Sequence, residues 1–304
     1  MADYNALAQD ISERYPAMRL LKDESLKNHT SFRIGGPAAL LALPESPEEL
    51  SFLLGCSKKH GIRICVMGCG SNLLFADGSI DALIIKTTRI AGVTASGSRL
   101  EAFAGTPLPV VSSFACRASL NGLAFAQGIP GSVGGGVTMN AGAYGYDISM
   151  ICERVSFISS DTLEQGEFNA KELAFGYRKS VFTQRPELII TKAEFLLEPS
   201  DEEMIKAEME DYASRRAASQ PLELPSAGSV FKRPEGYYAG KLIEDCGLKG
   251  MRVGGACVSE KHAGFIVNTG GATCSDVLRL IEKIQEAVYC RFGLELECEI
   301  KVFE

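Results

Sequence analysis

The 304-residue chain lacks the features that would place it in a membrane or on a nucleic acid. No apolar run approaches the roughly 20 residues that a membrane helix needs. The first ten residues contain no basic stretch followed by an apolar one, so we expect no signal peptide. No run of Lys and Arg is present, and the formal net charge of −7 is unfavourable for nucleic-acid binding. We therefore expect a cytoplasmic protein with no membrane span and no nucleic-acid partner.

Metal-binding patterns are absent from the sequence as well. Histidine is scarce, with 3 residues scattered along the chain, and no cysteine pair has the spacing of a zinc site. The 10 cysteines would suggest disulfides in a secreted protein. In a cytoplasmic chain they are expected to stay reduced and to behave as small apolar residues. The sequence thus predicts neither a metal site nor a disulfide framework.

The remaining composition is that of a globular protein with two or three domains, because 46% of the residues are hydrophobic and 23% are charged. At the start of one helix, Ser46 and Glu49 form a capping-box pattern with Pro47 at the first helical position. A linker is predicted near residue 199. Periodicity predicts helices over 6–14, 47–60, 108–120 and 276–291 and strands over 38–43, 62–67, 83–86, 100–104, 155–158, 188–197 and 294–303.

Glycine is concentrated in one place. The stretch 128–145 contains 7 of the 31 glycines within 18 residues, and we interpret it as a long loop. Because glycine is costly to order and has no side chain to pack, such a concentration indicates sharp turns or close approach of the backbone to a ligand. A plain irregular connection between strands is the alternative.

A second glycine loop, 68–72, follows the predicted strand 62–67. Gly68 and Gly70 permit positive φ and close approach, and Ser71 and Asn72 add short polar side chains. The loop is neither a P-loop nor a full dinucleotide fingerprint, because it lacks a Gly-Lys-Ser/Thr sequence and a third glycine. Two such loops suit an extended dinucleotide such as FAD.

Three polar residues outside the loops are candidates for chemistry. Arg178, between aromatic and polar neighbours, has the planar fork that binds carboxylates or phosphates. Ser229 lies in a glycine-containing turn, but no nucleophile elbow and no partnering histidine accompany it. Glu299 lies on the polar side of the predicted last strand. Taken singly, each is more typical of an ordinary surface or turn residue.

Together these segments resemble one family, the UDP-N-acetylenolpyruvoylglucosamine reductases (MurB) of bacterial peptidoglycan synthesis. The connection after Gly145 and the run from Ser229 to Gly240 are short, which resembles the second type of this family, without an inserted tyrosine-bearing loop. The matching motifs lie at 29–37, 68–74, 128–145, 176–180, 227–232, 240–244, 249–255 and 296–300.

The resemblance implies an α+β fold with a two-part FAD-binding region of the vanillyl-alcohol-oxidase/PCMH type and a C-terminal α+β substrate-binding domain. The implied domains are FAD-binding subdomain 1 over 1–86, FAD-binding subdomain 2 over 87–198, and the substrate domain over 199–304. FAD is the implied cofactor and NADPH the hydride donor. The substrate would be UDP-N-acetylglucosamine enolpyruvate, and the protein is expected to be a monomer.

The resemblance also implies residue roles. Ser229 matches the family's proton donor, and Arg178 and Glu299 match the groups that stabilise charge on the intermediate. Glu299 would donate a hydrogen bond to an enolic oxygen only in its protonated form. The implied substrate-binding residues are Tyr177, Lys232, Arg233 and Lys241. The implied cofactor-binding residues are Gly68, Cys69, Gly70, Ser71, Asn72, Leu73, Gly128, Ile129, Pro130, Gly131, Ser132, Gly134, Gly135, Asn140, Ala141 and Gly142.

Two other functions are compatible with the glycine loops. One is a flavin-dependent oxidase with the same FAD-binding fold, although no His or Cys lies at an evident flavin-attachment position and Ser229, Arg178 and Glu299 would have no role. The other is a nucleotide-binding regulatory module without catalysis, which the presence of all three of these residues disfavours.

Overall fold

The structure is a computed structural model that describes residues 3–304. Its contacts divide the chain into two compact units. The first comprises residues 3–22, 39–69 and 81–215, and the second comprises 23–38, 70–80 and 216–304. These units do not coincide with three consecutive domains, because two short segments from the N-terminal third pack with the C-terminal part. The division at 86/87 and 198/199 stays a prediction about function.

Eight α-helices and four 3-10 turns occur among residues 3–304. The 3-10 turns are Leu26–Asn28, Thr87–Arg89, Ala124–Gly128 and Ile148–Met150. The α-helices are α1 (Tyr4–Arg14), α2 (Pro47–His60), α3 (Leu108–Arg117), α4 (Val133–Thr138), α5 (Val181–Gln184), α6 (Glu202–Ser219), α7 (Ala239–Asp245) and α8 (Cys274–Phe292).

The strands are short, most of them seven residues or fewer. They are β1 (Arg19–Ser25), β2 (Pro37–Leu43), β3 (Ile64–Met67), β4 (Leu73–Phe75), β5 (Ile80–Lys86), β6 (Val93–Ser96), β7 (Arg99–Phe103), β8 (Leu120–Asn121), β9 (Gly142–Ala143), β10 (Tyr146–Asp147), β11 (Cys152–Ser159), β12 (Gln165–Asn169), β13 (Leu188–Leu196), β14 (Glu198–Pro199), β15 (Ser226–Ser229), β16 (Arg252–Val253), β17 (Ala256–Val258), β18 (Phe265–Asn268) and β19 (Lys301–Phe303).

The first unit contains two main sheets. The four-stranded sheet has the order β1-β2-β5-β3, with β3 and β5 parallel. Alternate residues of its central strands share a core with apolar residues of α1 and α2. The antiparallel sheet has the order β12-β11-β13-β7-β6, and its core includes residues of α3 and α4. Helix α4 thus anchors part of the glycine-rich stretch to a buried sheet.

Helix α2 shows how local sequence sets its ends. Ser46 Oγ accepts a hydrogen bond from the Glu49 N–H at 3.2 Å, and Pro47 starts the helix, as predicted. The Glu49 carboxylate reaches back to the N–H of Glu45 at 2.7 Å, one residue earlier than in a standard capping box. Gly61 ends the helix in the left-handed conformation, with φ of 62°.

The second unit contains the antiparallel sheet β15-β18-β17-β16 and the parallel pair β4 and β19. Its core lies between these strands and helices α7 and α8. Helix α8 begins after Thr273, which forms a capping box with Asp276, and ends at Gly293 with φ of 67°. The buried face of α8 contains the five residues that the sequence placed there: Val277, Leu280, Ile281, Ile284 and Val288.

Three predictions of secondary structure were wrong. The stretch 128–145 is not one long loop, because its glycine triplet forms α4. The helix predicted over 108–120 ends at Arg117, and the chain turns at Ser119, which has φ of 56°. The strand predicted over 294–303 is regular only at β19 in the described structure, although Leu296 and Ile300 are buried as the alternation required. In these three segments, tertiary contacts determine the backbone conformation.

Among residues 3–304 no helix combines the length and apolar character that a membrane crossing would need. All ten cysteines lie in the described part of the chain, and all are free thiols.

Asp77 links the segment 70–80 to α8. Its Oδ1 accepts a hydrogen bond from the Cys274 N–H at 2.6 Å, and its Oδ2 accepts one from the Ser275 N–H at 3.1 Å. A carboxylate at a helix N-terminus satisfies amides that have no partner within the helix, and it also complements the helix dipole. Asp77 therefore caps a helix that starts 197 residues later in the chain.

We expect Asp77→Ala to lower the free energy of unfolding by about 1 kcal/mol, because two helix N–H groups lose their acceptor. Asp77→Asn keeps one acceptor oxygen, so it should lower the free energy of unfolding by less. Urea unfolding followed by circular dichroism measures both, with Ser79→Ala as the control in the same exposed turn. Equal urea midpoints for Asp77→Ala and the unmodified protein would contradict the capping role.

Candidate active site

The two glycine-rich segments meet in the first unit at Gly68 and Ser132. A Cβ atom built on Gly68 would lie 2.0 Å from Ser132 Oγ, so a larger residue at position 68 would displace the Ser132 hydroxyl. Ser132 is only 2% exposed, and its hydroxyl has no hydrogen-bond partner among residues 3–304. Because an unsatisfied buried hydroxyl is destabilising and uncommon, this one fits a polar ligand atom such as a diphosphate oxygen of FAD.

The glycines after Ser132 serve packing more than backbone freedom. Of the seven glycines in 128–145, all within the described residues, only Gly145 has a positive φ, at 89°. A Cβ on Gly134 would lie 3.1 Å from the Ala104 Cβ, and a Cβ on Gly136 would lie 2.9 Å from a methyl group of Leu108. Gly135 is exposed, so its backbone is the part of the triplet that a ligand can approach.

The other predicted cofactor-binding residues of this stretch flank α4. Gly128 ends a 3-10 turn, Ile129 and Gly131 are half-buried, and Pro130 is exposed. After the helix, Ala141 donates its N–H to the Gly136 carbonyl at 2.8 Å. Gly142 begins β9, where a Cβ would approach the Tyr146 carbonyl oxygen to 2.5 Å.

The loop 68–73 continues from the first unit into the second. Gly70 has φ of 68°, so the expected need for glycine in the left-handed region is confirmed there. Burial raises the pKa of the Cys69 thiol, which keeps it protonated and less reactive. Ser71 is half-buried, and Leu73 begins β4.

Lys86, at the end of β5, was not recognised in the sequence. Burial lowers the pKa of its ammonium group, and the Cys69 thiol lies close enough to affect it. The sequence does contain a signal for this residue, because Lys86 ends a mostly apolar strand. Its position beside the loop 68–73 makes it a further candidate for contact with an anion.

Arg178 lies in a tight turn in the first unit. The backbones of Gly176 and Lys179 exchange hydrogen bonds of 2.9 and 3.1 Å, which leaves Tyr177 and Arg178 as the turn residues. Arg178 has φ of 53°, which is unusual for a residue with a side chain. Its guanidinium lies over the Tyr177 ring, 5.2 Å from the centroid, and Nη1 donates to the Asn140 carbonyl at 3.5 Å.

Asn140 supports this turn. It is 3% exposed and has φ of 43°. Its Nδ2 donates to the Gly176 carbonyl at 3.1 Å, and its Oδ1 accepts from the Ser149 N–H at 2.9 Å. The amide that was predicted to contact the cofactor therefore binds protein groups. The Asn140 side chain thus holds the Arg178 turn against the end of the glycine-rich stretch.

Ser229 ends β15 in the second unit. The pairing of β15 with β18 shifts between Ser226 and Ser229, and Gly228 has φ of 76° at the irregularity. Such a bulge re-aims the side chains that follow it. Ser229 is half-buried, and the next residue, Val230, donates its N–H to the Gly264 carbonyl at 2.9 Å.

The backbone brings Glu299 beside Ser229. The Glu299 N–H donates to the carbonyl of Val230 at 2.7 Å, and the Lys232 N–H donates to the carbonyl of Glu297 at 2.8 Å. Phe231 and Cys298 form an antiparallel bridge between these two bonds. Glu299 is half-buried. Two of the three predicted catalytic residues therefore lie on adjacent backbone segments.

The predicted substrate-binding residues lie near the surface. Lys232 pairs with Glu297, and Lys241 pairs with Asp245 at 2.6 Å on the exposed side of α7. Arg233 lies 4.5 Å from the centroid of the Tyr238 ring, which is 65% exposed. Tyr177 is 54% exposed. Within the described residues, no group of three His, Cys, Asp or Glu side chains could hold a metal ion.

Comparison with protein families gives two matches. The FAD binding domain model matches residues 38–162. The model of the UDP-N-acetylenolpyruvoylglucosamine reductase C-terminal domain matches residues 220–303. The first match contains both glycine-rich segments, and the second contains Ser229 and Glu299.

Individual proteins are similar over nearly the whole chain. A UDP-N-acetylenolpyruvoylglucosamine reductase of Lactiplantibacillus plantarum is 42% identical, with 97% of each chain covered. The enzyme of the same name from Caldanaerobacter subterraneus is 45% identical, again with 97% of each covered. The crystal structure of the reductase (MurB) from Thermus caldophilus superposes with a TM-score of 0.80 at 36% identity, covering 94% of this chain and 100% of that one.

A more distant structure, the glucooligosaccharide oxidase of Acremonium strictum, superposes with a TM-score of 0.51 at 11% identity, covering 99% of this chain and 60% of that one. This similarity concerns the fold alone, and it agrees with the α+β, oxidase-type FAD-binding fold expected from the sequence. Two family models and relatives above 40% identity over almost the entire length lead to one conclusion: the chain belongs to the UDP-N-acetylenolpyruvoylglucosamine reductases (MurB), FAD-containing oxidoreductases that are also called UDP-N-acetylmuramate dehydrogenases.

Proposed function

We propose that this protein uses NADPH to reduce the enolpyruvyl group of UDP-N-acetylglucosamine enolpyruvate, which gives UDP-N-acetylmuramate for peptidoglycan synthesis. The observation that carries the proposal is the backbone pairing of Val230 with Glu299, which places a hydroxyl and a carboxyl group on neighbouring segments. An enolpyruvyl reduction needs an acid, because the carbon next to the hydride acceptor must be protonated, and a second polar group beside it can stabilise the charge that builds up.

FAD, when bound, supplies the hydride that it has taken from NADPH. Ser132, beside Gly68, is the residue that best fits its diphosphate, since its buried hydroxyl has no protein partner among residues 3–304. The loop 68–73 and the exposed backbone at Gly135 would complete the cofactor site. The functional division into 1–86 and 87–198 for the cofactor and 199–304 for the substrate is part of the proposal.

The chain's own residues then act on the substrate. The Ser229 hydroxyl delivers a proton to the carbon next to the one that accepts the hydride. A carbanion is basic enough to take a proton from a weak acid that is well placed. Arg178 provides a fixed positive charge for the substrate carboxylate, where negative charge builds up. Glu299, in its protonated form, donates a hydrogen bond to the enolic oxygen.

Lys232 and Arg233 would bind the substrate diphosphate, and Tyr177 and Lys241 are proposed as further substrate-binding residues. We also propose that the protein acts in the cytoplasm and as a monomer. Ten free cysteines are compatible with a reducing compartment.

The first test of this function is the oxidation of NADPH with and without the enolpyruvyl sugar. Substrate-dependent oxidation of NADPH by a protein with a flavin spectrum supports the reductase. Oxygen consumption with a sugar alcohol in place of the enolpyruvyl sugar would identify the flavin-dependent oxidase instead. A colourless protein after addition of FAD would favour a module without catalysis.

If Ser132 binds FAD, its replacement should lower FAD affinity without lowering the stability of the apoprotein. We expect Ser132→Ala to weaken FAD binding about 10-fold, because one hydrogen bond to the ligand is lost. The same substitution should leave the apoprotein as stable as before or slightly more stable, since an unsatisfied buried hydroxyl is removed. Fluorescence titration with FAD and urea unfolding of the apoprotein measure the two effects.

Ser112→Ala is the matched control for this test. The Ser112 hydroxyl is equally buried and also has no partner among residues 3–304, but it lies in α3. Its removal should leave FAD affinity unchanged. The assignment is wrong if both variants bind FAD as tightly as the unmodified protein.

For the proton donor, we expect Ser229→Ala to retain reduction of the flavin by NADPH and to lose about 10²–10⁴ of the rate of product formation. Stopped-flow absorbance separates the two half-reactions. Ser226→Ala, at the other end of β15, removes a hydroxyl from the same strand and should have little effect. Normal turnover of the enolpyruvyl sugar by Ser229→Ala would rule Ser229 out as the acid.

For the fixed cation, we expect Arg178→Ala to slow the half-reaction with the enolpyruvyl sugar by about 10²–10³, because charge on the substrate carboxylate loses its partner. Arg178→Lys should recover part of this rate. The control Lys179→Ala removes the neighbouring exposed cation of the same turn. Equal losses in Arg178→Ala and Lys179→Ala would indicate a general effect of charge instead of a role for Arg178.

A further inference from the structure

The side chain of Asn72 contacts the backbone that carries Glu299. Its Nδ2 donates a hydrogen bond to the Glu299 carbonyl oxygen at 3.1 Å, across 227 residues of sequence. Asn72 is half-buried and lies immediately before β4. The sequence predicted this residue as a ligand of the cofactor, but this amide proton is directed at a protein carbonyl.

The backbone of Asn72 is fixed at the same place. The Lys301 N–H donates to the Asn72 carbonyl oxygen at 3.0 Å, and Lys301 begins the parallel pairing of β19 with β4. Asn72 therefore accepts from Lys301 through its backbone and donates to Glu299 through its side chain. These two bonds clamp the chain on either side of Ile300.

The peptide groups of Glu299 are consequently held from two directions. Its N–H donates to the carbonyl of Val230, the residue after Ser229, and its carbonyl accepts from Asn72. Residues 294–300 lie outside regular strands, so few ladder hydrogen bonds hold this segment. The Asn72 side-chain bond is therefore one of the few contacts that fix the backbone from which the Glu299 carboxyl group extends.

We propose that Asn72 is a positioning residue, which holds Glu299 in register with Ser229 for the protonation of the substrate. This inference rests on the proposed function. It assigns the Asn72 side chain to the substrate half of the reaction, whereas the backbone of the same loop remains available to the cofactor.

The test uses the FAD-loaded protein and follows each half-reaction separately by flavin absorbance. For Asn72→Ala we expect the FAD content and the rate of reduction by NADPH to stay within about twofold of the unmodified protein. Reoxidation by the enolpyruvyl sugar should slow about 10-fold or more, the cost of about one hydrogen bond in the transition state. The apparent KM for the sugar should change less than kcat.

Gln285→Ala is the matched control. Gln285 Nε2 donates to the Leu296 carbonyl at 2.8 Å, so it makes the same kind of bond to the same segment, three residues before Glu299. Its loss should lower the melting temperature and leave reoxidation by the sugar within about twofold. A control that slows reoxidation as much as Asn72→Ala would show that any loosening of 294–300 has this effect, which would overturn a specific role of Asn72.

Asn72→Asp adds a signature that loss of stability alone would not produce. A neutral carboxyl group can donate to the Glu299 carbonyl, but a carboxylate cannot, and it repels that oxygen. An aspartic acid side chain gains its proton as the pH falls towards about 4. The reoxidation rate of this variant, divided by that of the unmodified protein, should therefore rise as the pH is lowered from 8 to 5.

Three results would contradict the positioning role of Asn72, and a fourth would contradict the proposed function. Loss of FAD from Asn72→Ala and from Asn72→Asp at every pH would return the side chain to cofactor binding and overturn the proposal. Normal reoxidation by Asn72→Ala, or a pH-independent ratio for Asn72→Asp, would also overturn it. If the unmodified protein itself fails to oxidise NADPH in the presence of the sugar, the proposed function fails, and the role of Asn72, which rests on it, is overturned with it.

Discussion

The hydrogen bond from the Glu299 N–H to the Val230 carbonyl is the contact on which the candidate site depends. It brings a serine in a bulged strand beside the segment that carries a glutamate 70 residues later in the chain. The bond is short, and the bridge between Phe231 and Cys298 supports it on one side. It is also a backbone bond, so it does not involve the Glu299 carboxyl group. The irregularity at Gly228 turns Ser229 without disturbing the pairing that follows.

The second constraint is close packing around glycine. At Gly68 and Gly136 a single added carbon would approach neighbouring atoms to 2.0 and 2.9 Å. These glycines are needed because other groups occupy the space of a side chain, and not because the backbone has a left-handed conformation. The distinction matters for the cofactor site. A side chain at position 68 would displace the buried Ser132 hydroxyl, which is suited to a ligand oxygen.

Sequence reasoning predicted those features that short-range chemistry determines. The ends of α2 and the buried face of α8 follow from caps and from helical periodicity, and both were confirmed. The resemblance of ordered motifs predicted the family, which the relatives confirm. Asp77, Asn72 and Asn140 could not be assigned in this way, because the partners of their side chains lie 197, 227 and 36 residues away in the chain. The spacing of residues carries no information about a side chain that caps a helix or holds a carbonyl about 200 residues away.

The predictions for the glycine triplet and for residues 294–303 were wrong for a related reason. Glycine disfavours helices on its own, yet α4 forms because Gly134 and Gly136 let the helix approach Ala104 and Leu108 closely. Alternation in 294–303 is real, but only β19 has a partner strand that makes it regular. In both segments the available neighbours determined the local conformation. The roles of Arg178, Ser229 and Glu299 remain predictions, since geometry alone does not identify a reaction.

The ion pairs of Lys232 and Lys241 affect how an anionic substrate would bind. Lys232 is paired with Glu297, whose side chain is 72% exposed, and Lys241 is paired with Asp245. An exposed ion pair contributes about 0–1 kcal/mol, so exchanging a surface carboxylate for a diphosphate costs little. The pairs meanwhile hold the ammonium groups in place and keep the local charge near neutral. A diphosphate, which carries more negative charge than one carboxylate, would compete well for both lysines. Their pairing with Glu297 and Asp245 is thus compatible with the proposed substrate site.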